Sequence, residues 1–148
     1  DIHKMEFDPL KAVSVVKHDY VPKTENKFLD QKQSLYAKKN WSSLMVFNNK
    51  LCSNLTPAVV NEASGLYLHQ IKWLVDDSMI GEIAPEWNHL VGEYDLNPAA
   101  KMVHFTLGTP CFKKYSRCEY AKEWYEERNK MNYYNPVGEF SVEPKTEA

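Results

Sequence analysis

Residues 11–18 read KAVSVVKH, and this β-branched run sets the interpretation of the rest of the chain. A short run of this kind, bounded by polar residues, is typical of a buried strand. Two further strand candidates are WSSLMVFNN (41–49) and KMVHFT (101–106), and MIGEIAPEWN (79–88) predicts a short extended piece closed by Pro85.

Helices are predicted between these strands. Thr56-Pro57 is a good helix start, because threonine caps free N–H groups and proline is tolerated in the first turn. Ser64-Gly65 is expected to end that helix, and LYLHQIKWLVDD (66–77) begins another. Strands that alternate with helices predict an α/β fold with a mixed, mostly parallel sheet and flanking helices.

The most distinct helix signal lies near the end of the chain. Ser116 and Glu119 have capping-box spacing, and Glu126 and Lys130 have the spacing of an i,i+4 ion pair. An apolar stripe follows the cap at Ala121, Trp124, Tyr125 and Met131. Residues 135–148 show no periodicity, so we expect a flexible tail after a domain spanning 1–134.

Composition limits the classes of partner. The 148 residues carry a net charge of −2, with 43% hydrophobic and 26% charged residues, which suits one globular domain. Without a basic stripe, no nucleic-acid partner is expected, and no apolar run reaches the about 18–20 residues of a membrane span. Cys52, Cys111 and Cys118 form no C-x-x-C pair, which predicts reduced thiols and a cytoplasmic location.

His104 is the candidate metal ligand. It stands near the carboxyl end of a predicted strand, and ligands of α/β sheets bind outside those ends. A neutral imidazole ligates Mn²⁺ and related ions, whereas Mg²⁺ prefers oxygens. Gly108 and Pro110 then predict a turn whose backbone approaches a phosphate closely. The structural alternative is that the imidazole only caps the strand.

Five other residues are candidates for substrate contacts, each with a structural alternative. Ser42 and Ser43 offer hydroxyls before a strand, or satisfy backbone groups there. Gln70 suits neutral polar substrates such as sugars, although exposed glutamines are common. Trp87 has a ring suited to stacking on a sugar and Asn88 an amide suited to fixing its hydroxyls; alternatively, Trp87 belongs to the core.

In this order, the motifs resemble the C-terminal half of a GT-A-type glycosyltransferase, similar to the family-8 (glycogenin and galactosyltransferase) group. WSSLMVFN corresponds to that family's Asn-Ser-Gly strand motif, with Trp41 and Ser43 in place of Asn and Gly. HQIKWL keeps Gln70 of the Asp-Gln pair but has His69 at the acidic position. IAPEWN matches that family's Leu-Pro-x-x-(Trp/Tyr)-Asn segment through Pro85, Trp87 and Asn88. VHFTLGTPCF keeps His104, Gly108 and Pro110 of the closing His-(Tyr/Phe)-x-Gly-x-x-(Lys)-Pro-(Trp) motif, with altered spacing and without the lysine.

The resemblance implies a transferase that uses a nucleotide sugar, with a UDP-sugar as donor and a glycan or another molecule as acceptor. In that family the final histidine completes a divalent-metal site begun by an Asp-x-Asp motif, which implies Mn²⁺ or Mg²⁺ at His104. Asp-x-Asp is missing here, so we expect a chain that begins after it and a fragment that is inactive alone. Lys113 or Lys114 is a candidate to replace the lysine missing from the closing motif. Asp19 is a candidate to replace the acidic residue missing at position 69. The catalytic residues stay unassigned. The alternatives are a glycan- or nucleotide-binding module without catalysis and a structural domain.

Overall fold

Five short strands form two sheets in the computed structural model, which describes residues 1–133. The strands are β1 (Val13–Val15), β2 (Met45–Phe47), β3 (Ile80–Glu82), β4 (His89–Leu90) and β5 (Val103–His104). The first sheet has the order β2-β1-β3, with β1 antiparallel to β2 and parallel to β3. The second sheet pairs β4 with β5 in parallel. The fold is therefore mixed α/β, as the alternation of strands and helices predicts.

Strand β1 lies in the middle of the first sheet and is buried on both faces. Val13 and Val15 pack into one apolar cluster with Ile71, Trp73 and Ile80. Val16, just after the strand, packs into a second cluster with Met5, Ile83 and Trp87. Burial on both sides agrees with the apolar residues on either side of Ser14, which is itself buried at 2% exposure. Each buried valine or isoleucine contributes about 1.5–3 kcal/mol to folding.

The predicted helix start at Thr56 is confirmed. Helix α1 is Pro57–Glu62, and the Thr56 hydroxyl accepts a hydrogen bond from the Val59 N–H at 3.2 Å. Ser64 lies after the end of α1 and caps the next helix, α2 (Gly65–His69), by accepting from the Tyr67 N–H.

Helix α2 is much shorter than the 66–77 segment predicted for it. The chain leaves the helix where Ile71 adopts a left-handed backbone conformation, with φ of 57°. This turn places the side chains of Ile71 and Trp73 in the first apolar cluster. Burial of two large side chains outweighs the helix preference of the intervening sequence.

The strands are also shorter than predicted, because several predicted strand residues form 3-10 turns. Trp41–Ser43 is such a turn and precedes β2. Pro85–Trp87 is another, and it lies between β3 and β4. Ser42 in the first turn contacts the His69 side chain, and Glu86 in the second accepts from the Lys101 side chain.

The chain divides into two compact units, residues 1–108 and a unit that starts at Thr109. All five strands belong to the first unit. In the second, helix α3 is Ala121–Tyr133, and the Tyr125 hydroxyl donates to the Pro110 carbonyl at 2.7 Å. The predicted tail, 135–148, lies outside the described residues.

Two local predictions for α3 are wrong. Ser116 does not cap the helix, since its hydroxyl donates to the Lys113 carbonyl and the helix begins five residues later. Lys130 pairs with Glu127 at 2.6 Å instead of Glu126. None of the helices described is long and apolar enough to span a bilayer.

Candidate functional site

Hydrogen bonds join side chains from separate predicted motifs, with Asn88 at the centre. Its Nδ2 donates to the Ser43 hydroxyl at 2.7 Å and contacts His18 Nε2 at 3.1 Å. The Ser43 hydroxyl in turn donates to the Asn40 carbonyl at 2.6 Å. Asn88 precedes β4 and Ser43 precedes β2, so two strand entrances are tied together through one amide.

The same connections continue on both sides. His18 Nδ1 lies 3.0 Å from the Tyr94 hydroxyl. Asn40 Nδ2 donates to the Tyr20 hydroxyl at 2.6 Å and to the Thr106 hydroxyl at 3.3 Å. We call the connected set the polar network: His18, Tyr20, Asn40, Ser43, Asn88, Tyr94 and Thr106.

His18 is held neutral inside this network. Only 6% of the residue is exposed. Burial first, and then the nearby His104 and His89, lower the pKa of His18 from 6.5 to about 4. The Asn88 amide nitrogen can only donate, so His18 Nε2 is the acceptor and Nδ1 carries the proton toward Tyr94.

The two network tyrosines stay protonated at neutral pH. Burial, followed by the charge of Glu93, raises the pKa of Tyr20 well above its usual value. Burial also raises the pKa of Tyr94, with Asp19 and Glu93 adding to the effect. The Tyr20 oxygen accepts from Asn40, which leaves its hydroxyl hydrogen available to a ligand.

Glu93 is a buried carboxylate that fixes the segment beside the network. Its two oxygens accept from the Lys23 backbone N–H at 2.8 Å and from Gln33 Nε2 at 3.2 Å. Lys23 and Gln33 lie on the two arms of a hairpin-like loop, in which Asn26 and Lys32 form an antiparallel bridge. The two bonds therefore tie both arms of the loop to Glu93. Glu93 thereby positions residues that border the adjoining cleft.

An open cleft of about 640 Å³ adjoins the network, and its size falls within the range of ligand pockets. We call it the Tyr36 cleft; its lining residues are His18, Asp19, Tyr20, Val21, Leu35, Tyr36, Ala37, Lys38 and Lys39. Lys38 is occupied, because its ammonium binds Asp77 at 2.6 Å and the Gln70 carbonyl at 3.0 Å. The Lys39 ammonium lies 5.5 Å from the centre of the Tyr36 ring and donates to the Ser34 carbonyl.

His104 ends strand β5, as the sequence predicts. Its Nδ1 is buried and has no hydrogen-bond partner among residues 1–133. Burial lowers the pKa of His104, and the positive charge of Lys27 lowers it further.

The residues present do not fit a metal site by themselves. Within residues 1–133, no three His, Cys, Asp or Glu side chains are arranged to hold one metal ion. The charged group that acts on His104 is Lys27, a cation, which opposes a second cation nearby. A metal at His104 therefore requires carboxylates from outside the described part of the chain.

Ser42 and Gln70 lie near the network without joining it. The Ser42 hydroxyl is 2.7 Å from His69 Nδ1, so His69 has a serine partner. Gln70 is 9% exposed, and its side-chain Oε1 has no hydrogen-bond partner in the part of the chain that the structure describes. Its backbone carbonyl, through Lys38, connects it to the wall of the Tyr36 cleft.

Trp87 has the core position given above as its structural alternative, and Gly108 and Pro110 lie on either side of the boundary between the two units. Trp87 is 4% exposed and fills the second apolar cluster, so its ring faces core side chains and not a sugar. Gly108 is the last residue of the first unit, with φ of 152°. Pro110 is buried in the second unit, where its carbonyl accepts from Tyr125.

Four residues of the polar network are not predicted as site residues from the sequence: His18, Tyr20, Asn40 and Tyr94. A signal existed for the first two, because KHDY follows the first strand just as His104 ends a later one. Applying the rule about carboxyl ends to both strands would have selected His18. No comparable signal marks Asn40 or Tyr94, which join through long-range hydrogen bonds.

The comparisons with known proteins give one relative to report. A protein of Arabidopsis thaliana named "Protein CDI" is 38% identical over 136 residues, a match that covers 87% of this chain and 52% of that protein. The chain thus spans about half the length of the curated relative it matches. No protein-family model matches the chain, and no solved structure matches it.

Proposed function

We propose that this chain is the C-terminal part of a GT-A-type glycosyltransferase that transfers a sugar from a nucleotide-sugar donor to an acceptor. The resemblance to the family-8 group supports the proposal through four ordered motifs. One structural observation carries it furthest: Ser43, Asn88 and Thr106, from three of those motifs, belong to one hydrogen-bonded network beside an open cleft.

The network leaves specific groups for a bound sugar or ribose. Asn88 is 4% exposed and uses both its amide hydrogens within the network, where it positions Ser43 and His18. Tyr20 also lines the open cleft, and its hydroxyl hydrogen is the network group that can donate to a bound sugar or ribose. Because the network fixes these groups before a ligand arrives, little ordering cost accompanies binding.

A divalent cation is part of the proposal only together with carboxylates that these residues do not supply. Mn²⁺ or Mg²⁺ would neutralise the charge of the donor's diphosphate. Three unpaired cysteines support a cytoplasmic location as part of the same proposal.

Donor binding is tested by calorimetric titration of the 148-residue chain with UDP and UDP-sugars, with and without Mn²⁺. Ser43→Ala removes the acceptor that orients Asn88, and we expect it to weaken binding about fivefold to tenfold. Ser53→Ala, in an exposed turn, is the matched control and should bind like the wild type. Absence of UDP binding under both conditions would count against the proposal.

Transfer is tested on a longer protein that contains this segment. A panel of nucleotide sugars is supplied, and release of the nucleoside diphosphate is measured. We expect release from one donor class, and loss of release in the Ser43→Ala protein. Equal rates of nucleoside diphosphate release by the wild-type and Ser43→Ala proteins would show that the polar network does not contribute to transfer.

A second candidate is a binding module that holds a glycan or nucleotide without catalysis. It is favoured by the lack of a three-ligand metal group within residues 1–133. Binding of UDP or a sugar by the longer protein, with no turnover of any donor, would select this candidate.

A further inference from the structure

The Tyr36 cleft has nearly balanced charge. Lys38 is neutralised by Asp77, which leaves the Asp19 carboxylate and the Lys39 ammonium as the free charged groups of the lining. A nucleoside diphosphate carries several negative charges and would find no excess of positive charge to balance them. The cleft is therefore suited to a neutral polar ligand.

Aromatic and apolar groups form the rest of the lining. Tyr20 and Tyr36 contribute rings, while Val21 and Leu35 stand 77% and 69% exposed at the rim. A pyranose presents a face of C–H groups together with a ring of hydroxyls. The partly negative face of a tyrosine ring attracts such C–H groups, and neighbouring polar groups take the hydroxyls.

The polar groups of the cleft include both acceptors and donors. Asp19 offers two carboxylate oxygens, which accept from neighbouring hydroxyls. One hydrogen of the Lys39 ammonium goes to the Ser34 carbonyl, so two remain to donate to a ligand. Hydroxyl groups of a sugar both donate and accept, so this mixture suits them better than it suits an anion.

We infer that the Tyr36 cleft binds a neutral carbohydrate, which is the acceptor of the transfer reaction. The acceptor role rests on the proposed function, whereas carbohydrate binding stands on the cleft itself. His18 and Tyr20 line the cleft and also belong to the polar network, so an acceptor in the cleft lies beside the groups assigned to the donor.

The test uses neutral disaccharides as probes: maltose, cellobiose and lactose, with glycerol as the polyol control. The ¹⁵N-labelled 148-residue chain is titrated to saturation and observed by amide NMR. We expect at least one disaccharide to shift the signals of residues 19–21 and 35–39 with millimolar affinity, while glycerol leaves them in place.

Asp19→Asn tests the chemistry of the cleft, because it removes the carboxylate but keeps the size. We expect at least fivefold weaker disaccharide binding. Asp30→Asn, on the exposed turn of the neighbouring loop, is the matched control and should bind normally. Tyr36→Leu keeps an apolar side chain but removes the ring, and should weaken binding as well.

The outcomes separate the two proposals. Disaccharide binding in the cleft together with UDP binding elsewhere supports both. Disaccharide binding without any UDP binding supports the carbohydrate site and counts against the transferase. UDP binding without disaccharide binding, or UDP displacing the disaccharide from the cleft, overturns this inference and leaves the transferase proposal standing.

Discussion

Acidification should destabilise this protein through His18. The folded-state pKa of about 4 lies below the ordinary 6.5, so the unfolded chain binds the proton more tightly than the folded one. The stabilisation is therefore fully present above about pH 6.5 and is lost as the pH falls toward about 4. The lowering of the His18 pKa on folding contributes about 3 kcal/mol to the free energy of unfolding. About 2 kcal/mol of that contribution is lost by about pH 5.

The assay is urea unfolding followed by tryptophan fluorescence at several values between about pH 7 and about pH 5, above the usual range of carboxylate titration. His18→Gln removes the titrating imidazole, so its unfolding free energy should fall about 2 kcal/mol less over this interval. His3→Gln, at an exposed position, should follow the wild type. Parallel curves for the wild type and His18→Gln would refute the reasoning. If His18→Gln does not fold, the pKa of His18 is measured in the wild-type protein by NMR titration of its imidazole signals. A His18 that titrates near pH 6.5 would also refute the prediction.

Three further predictions concern stability and are measured by denaturant unfolding. Gly81→Ala places a Cβ 2.6 Å from the Ser14 hydroxyl oxygen and should lower the free energy of unfolding by about 1–3 kcal/mol. Gly65→Ala is the control, because its Cβ meets no atom within 4 Å and should leave that free energy unchanged or raise it. Equal effects at both glycines would contradict this prediction. Trp87→Ala should lower the free energy of unfolding by about 3–5 kcal/mol, because the indole ring is buried in the core. A decrease below about 1 kcal/mol would show that the ring is not packed there. Thr56→Ala removes a helix cap and should cost about 1 kcal/mol, with an unchanged midpoint as the contrary result.

The elements that the sequence predicts correctly are those with strong local causes. The KAVSVVKH run forms the central strand β1, and Thr56-Pro57 begins a helix where capping chemistry places it. The mixed α/β class follows from the same alternation. Element lengths are predicted poorly, as in α2, because the burial of Ile71 and Trp73 is a long-range effect.

The candidate site is predicted in part. Ser43 and Asn88 are found together, joined directly by a hydrogen bond between residues 45 positions apart. Trp87, adjacent to Asn88, faces the core instead of the cleft, since neighbouring residues in a tight turn point in different directions. His18 is the largest omission, although it follows a strand in the same manner as His104. Whether His104 holds a metal stays a prediction.

The sequence by itself determined where the central strand lies and where the helix after Thr56 begins, because those properties depend on neighbouring residues. Tertiary structure decided which polar side chains meet. The contacts of His18 with Asn88 and Tyr94 join residues 70 or more positions apart, and only the tertiary packing of the chain brings them within hydrogen-bonding distance. The same packing removes His18 from water, and that desolvation lowers its pKa.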